Sequence, residues 1–130
     1  MSEWENLRIQ SKIEEILEPI STEHPEHHLG TPFLSAYQLA IEYAQQFPDD
    51  LHRLDLPVGG RDTELHYSLA QYLARQLSGR ISSEELTTIE GCLMSNRHVK
   101  DLIFDNFGDD VHSSITGKHA SISMFRSVRS

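Results

Sequence analysis

Apolar positions repeat at helical spacing through three stretches of the chain and then shorten into runs of strand length. Within residues 1–20, Ile9, Ile13, Ile16, Leu17 and Ile20 form one stripe, with Trp4 near the start. This predicts an amphipathic helix that Pro19 ends or bends. A second helix is predicted over Leu34–Phe47, where Leu34, Tyr37, Ala40, Ile41, Ala44 and Phe47 make the buried stripe. Ser35 and Gln38 stand at its start with the spacing at which each side chain satisfies an orphan amide of the first turn. Pro48 stops this helix, and Asp49–Leu54 reads as one further short helical turn with acids at its positive end. The third stretch, Thr63–Gly79, carries Leu65, Leu69, Tyr72, Leu73 and Leu77 on one stripe. Asp62 or Thr63 is placed to cap it and Gly79 to close it. Its opposite stripe is polar: Glu64, Ser68, Gln71, Arg75 and Ser78.

After Gly79 the period changes. Thr87–Met94 is β-branched and apolar and reads as a strand. His98–Asp105 is assigned to a strand in preference to a helix, because Asp105–Asp110 has the composition of a hairpin turn. Val111–Thr116 and Ser121–Phe125 complete the strands. The expected class is α+β, with N-terminal helices followed by a small antiparallel sheet in a winged-helix-like order of elements. Residues 1–20 are expected as an N-terminal amphipathic helix, 21–30 as a His-rich linker, and 31–130 as a single winged-helix-like domain. The expected core includes Leu39 or Ile41, Leu69, Tyr72, Leu73, Leu77, Ile89 and Phe104. The isoleucine stripe of the N-terminal helix, set apart by a polar linker, is expected to take part in self-association.

Composition narrows the class of protein. A chain of 130 residues fits one domain with an adequate core. No apolar run approaches the roughly 20 residues of a membrane span, and MSEWENLRIQ has no apolar signal region. The single cysteine, Cys92, excludes an internal disulfide and a cysteine-based zinc site, and it points to a reducing, cytoplasmic setting. Net charge is −9, unevenly spread: residues 1–62 hold twelve acids against four Lys/Arg, and residues 63–130 hold eight against seven. An acidic first half opposes polyanions, while the second half leaves room for one.

Candidate chemistry is sparse. The linker STEHPEHHLG brings His24, His27 and His28 together with Glu23 and Glu26. Imidazoles suit zinc, nickel or copper, but His27 and His28 are adjacent and face one metal together only with difficulty, so these are weak metal candidates. Gly59-Gly60 before a helix suggests an anion cradle, yet the paired glycines and Lys-Ser/Thr of a phosphate loop are absent. Cys92 sits in an apolar strand and is expected to be a buried, inert thiol. No serine elbow, H-E-x-x-H, calcium loop or dinucleotide fingerprint occurs, so no catalytic residue or cofactor is assigned. Pairs of His66, His98, His112 or His119 with Asp101 or Glu90 are expected by chance among eight histidines and twenty acids.

The leading expectation is a non-catalytic binding or regulatory module acting through protein–protein contacts, with a protein partner or a homo-oligomer. The first alternative is a winged helix-turn-helix that binds DNA through the outer face of the helix at 63–78. Tyr67, Ser68, Gln71 and Arg75 are the binding-face candidates, since Gln and Arg pair bidentately with base edges. Arg80, Lys118 and Arg126 are the candidates for anion contact. Weighing against DNA, the helix carries only Arg75 as a cation, and the connection 47–62 exceeds a tight helix-turn-helix turn. The second alternative is a small metal-dependent enzyme using His, Asp and Glu residues.

Overall fold

The predicted N-terminal helix is two helices, α1 (Glu3–Asn6) and α2 (Ile9–Ile20), because Arg8 adopts the left-handed region at φ 54° and turns the chain between them. The computed structural model describes residues 2–22, 26–59, 68–99, 102–112 and 121–128. Pro19 lies inside the last turn of α2 and does not end it. Ile9, Ile13, Ile16 and Leu17 are all buried, packed against α3 (Ala36–Gln46) and β5 (Ile122–Ser127). The stripe expected to meet a second copy is therefore spent inside its own fold, which overturns self-association through this helix. A linker's length does not decide where an apolar face goes; the nearest apolar surface does.

α3 begins as its sequence foretells. Ser35 Oγ accepts from Gln38 N–H at 3.2 Å and the Gln38 side chain accepts from Ser35 N–H at 2.7 Å, a complete capping box. Leu34, expected as the first helical residue, forms with Ser35 the two-residue strand β1. Phe47 ends α3, and Pro48 opens α4 (Pro48–Leu54), where its missing N–H costs nothing.

α5 spans Leu69–Ser82, so it starts later and ends later than its apolar stripe suggested. Ser68 is extended (φ −111°, ψ 165°) and forms a second capping box with Gln71. The helix passes through Gly79 and is capped at Ser83. The expected cap at Asp62 or Thr63, with Leu65, lies outside the described residues.

The strands are β2 (Ile89–Met94), β3 (Ile103–Asn106), β4 (Asp109–His112) and β5. β1, β5 and β2 form one antiparallel sheet with β5 in the middle, and β3–β4 is a separate hairpin. Apart from the two-residue β1, the helices precede the strands, so the class is α+β. Leu39, Leu69, Leu73, Leu77 and Ile89 are in the core with Tyr43, Ile122 and Phe125, while Tyr72 and Phe104 are partly buried against it. Among the described residues no helix is long and apolar enough to cross a membrane.

Candidate binding surface

Of the polar stripe expected on the outer face of α5, Arg75 and Ser78 are exposed, while Ser68 and Gln71 are not. Ser68 is wholly buried, and its hydroxyl and the Gln71 amide are both engaged in the capping box. Arg75, Ser78, Gly79 and Ser82 are what α5 exposes. Tyr67 lies outside the described residues. The first turn is closed to anions as well: Leu69 N–H donates to Pro57 C=O at 2.7 Å, Ala70 N–H to Val58 C=O at 3.0 Å, and Gln71 N–H to Ser68 Oγ at 3.2 Å. The backbone preceding Gly59 thus fills the position a phosphate would take.

Two of the three anion-contact candidates are engaged within the protein. Arg126 pairs with Glu90 across the β2–β5 ladder and donates through Nη1 to the carbonyls of Leu29 (3.0 Å) and Thr31 (3.1 Å). Its guanidinium also lies 4.4 Å from the Phe33 ring centre. Arg80 pairs with Glu85 and lies 4.8 Å over Trp4. Lys118 lies outside the described residues. Both arginines tie loops to the sheet and helices, a role their type alone does not reveal.

His27 and His28 are stacked, ring centres 4.4 Å apart and planes 23° from parallel, and both are exposed. His27 Nδ1 accepts from Leu29 N–H at 3.1 Å, so that nitrogen is already occupied. His24 lies outside the described residues. Among the described residues no three His, Cys, Asp or Glu side chains are grouped to hold a metal ion.

One polar cluster is buried. Asp50 Oδ2 accepts from Tyr43 Oη and from Lys12 Nζ, each at 2.6 Å. Burial first, then the hydrogen bond and charge of Asp50, hold the Tyr43 phenol well above the ordinary tyrosine range, so it stays a donor. The cluster joins α2, α3 and α4 and reads as a structural tie.

One apolar surface left uncovered among the described residues lies where α5 meets β2. Gly91 pairs with Phe125 and Leu93 with Ser123, so these four side-chain positions share one face of the sheet. Together with Ser78, Ile81 and Ser82 of α5 they line an open groove of about 300 Å³. Gly91 lets the buried Phe125 ring lie close over the strand: a Cβ there would stand 3.3 Å from it. Leu93 is 69% exposed beside it. Cys92 is exposed too, which corrects the expectation of a buried thiol. β2 is the last strand of its sheet, with one edge unpaired among the described residues. Sequence reasoning passed over this surface, although its signal was present. Gly91-Cys92-Leu93 puts apolar or small groups on both faces of one strand, and a terminal strand has cover for only one.

No protein-family model, curated protein or solved structure matches this chain.

Proposed function

We propose that this chain is a non-catalytic binding or regulatory module of the cytoplasm that acts through protein–protein contacts made at the β2 edge and the groove beside it. The observation that carries the reading is the exposed Leu93 beside half-buried Ile81, on a strand whose outer edge is unpaired among the described residues. Unpaired strand amides and carbonyls accept an added strand, and alternate side chains find a groove to fill. The cations that a nucleic-acid contact would use point the same way, because Arg80 and Arg126 are held by Glu85 and Glu90. An acidic first half adds repulsion toward a polyanion.

The test is selection of random displayed peptides against the full chain, alongside electrophoretic shifts on random duplex DNA over a range of salt. Extended, apolar peptides are expected, with affinity weakened at least about tenfold by Leu93→Lys, as for a buried anchor. Absence of peptide binders, with duplex binding that falls steeply with salt and is lost in Arg75→Ala, would overturn the reading in favour of DNA.

A further inference from the structure

We propose that the cavity enclosed by the end of α2, by α3 and by β3 binds a primary ammonium carried on an apolar stem, as in a lysine side chain or a free alkylamine. It shares no lining residue with the groove at β2 and stands whether or not that edge binds protein.

The fold fixes its walls. Ile20 ends α2, Leu34 is held in β1 by its pairing with Phe125, and Ile41 is buried on α3. Phe104 of β3 completes the apolar lining, its ring stacked on buried Tyr37 with centres 5.5 Å apart and planes 15° from parallel. The enclosed volume is about 220 Å³. Sites for whole drug-sized ligands run to roughly 300–1,000 Å³, so a nucleotide or organic cofactor is too large here. A single side chain or a small amine is not.

Charge decides between such occupants. Glu42 of α3 and Asp105 of β3 both line the cavity, and among the described residues no Lys, Arg or His does. Glu42 Oε2 accepts from the Gln46 side-chain amide at 3.2 Å, and Asp105 Oδ1 accepts from Gly108 N–H at 3.0 Å. Both donors are neutral, and among the described residues neither carboxylate is paired with a cation. The cavity beside Phe33 differs, because there Glu90 already answers the charge of Arg126.

Asp105 also stands directly across the hairpin from Asp110. Like charges so placed share one face and weaken the pairing, and a cation at the mouth of the cavity offsets that cost. An ionised carboxylate offers about four lone-pair sites, so Glu42 and Asp105 each keep capacity for the donors of an ammonium. An anion would be repelled, and a neutral apolar ligand would desolvate Glu42 with nothing returned. A stem against Ile20, Leu34, Ile41 and Phe104 with its charged end at the two carboxylates satisfies both halves of the lining.

The experiment follows the NMR resonances of the full chain as n-pentylamine is added, with n-pentanol as the neutral match. Shifts are expected at Ile20, Leu34 and Ile41, with the amine bound at least about tenfold tighter than the alcohol and more weakly as salt rises. Glu42→Gln combined with Asp105→Asn should weaken the amine by at least about tenfold, as loss of charged acceptors does, and leave the alcohol unchanged. Asn keeps the oxygen that Gly108 N–H uses, so melting should not change. Should the double variant melt lower, Glu42→Gln alone, outside the hairpin, carries the test. Equal binding of the two probes, no shift at these residues, or an amine titration that the charge-removing variant leaves intact overturns the proposal. Among supporting outcomes, Nα-acetyl-lysine methylamide binding tighter than pentylamine assigns the site to a lysine of a protein partner, and the reverse order assigns it to a free amine. Leu93→Lys, which tests the β2 edge, should leave every amine titration unchanged, so either reading can fail without the other.

Discussion

Asp50 is 7% exposed and accepts two hydrogen bonds on one oxygen, so its removal strands two donors at once. Asp50→Ala is expected to cost about 3 kcal/mol, the range for breaking a buried charged contact from one side, measured by urea unfolding. The phenol adds a pH signature. Tyr43 titrates higher in the folded chain than in the unfolded chain, so its contribution is complete below the unfolded value. That contribution is lost as pH climbs beyond the unfolded value. Stability should accordingly fall in alkali above about pH 10, and Tyr43→Phe should flatten that part of the fall. An unchanged alkaline slope in the variant would contradict the assignment. Phe107 is a different kind of outlier. It sits at φ 52° before Gly108 at φ 102°, the two central positions of a tight hairpin turn, and its ring is 62% exposed. Asn or Gly suits that first position far better than a bulky aromatic. Phe107→Asn is expected to raise stability by about 1 kcal/mol, seen as a higher melting temperature.

Among the elements, α5 shows both what was legible and what was not. Its apolar stripe at Leu69, Leu73 and Leu77 is the buried face, as periodicity said. Its start was misread because Leu65 continues the same stripe backwards, and a stripe has no built-in end. The punctuation was nonetheless present: Ser68-Leu-Ala-Gln71 repeats the Ser35-Ala-Tyr-Gln38 pattern that correctly marked α3. At the other end Gly79 resembles a terminator but lies inside the helix, with nothing within 4 Å of the position its Cβ would take. Gly79→Ala should therefore stabilise by about 0.5–1 kcal/mol, read from the urea midpoint; a loss would mean that the helix ends there after all. Arg80 and Arg126 were legible as cations but not as ties, because Trp4, Glu90 and Phe33 are distant from them in sequence and carbonyls are carried by every residue; only Glu85 stands near its arginine. Arg126→Ala, which gives up Glu90, two carbonyls and the Phe33 face, should cost about 1–3 kcal/mol.

For the whole molecule, the sequence divided what the fold unites. Helices and strands could be placed because each carries its own period. How they share a core could not, since that depends on which surfaces meet. Trp4, Ile9, Ile13, Ile16 and Leu17 belong to the same buried cluster as Leu73 and Phe125. Deleting residues 1–20 should thus abolish cooperative unfolding, checked by circular dichroism melts. A truncated chain that melts sharply would restore the separate N-terminal segment that the linker suggested. The β2 surface has the same origin: a terminal strand is visible only once the order of strands is known.

That order has a consequence for how the protein is made. β5 lies between β1 and β2, yet it leaves the ribosome after both and after every helix. Until Ile122–Ser127 has emerged, β1 and β2 have no strand between them, and the helices have no sheet to cover. Pairing Leu34 with Phe125 also closes a loop of most of the chain's length, a step whose entropy is lost before its contacts form. Helices α2, α3 and α5 can form during synthesis, but the sheet is completed in a single late event. During that interval the apolar face of Ile89, buried in the finished fold, is exposed to other nascent chains, and it is then that the protein is most open to aggregation and most in need of a chaperone.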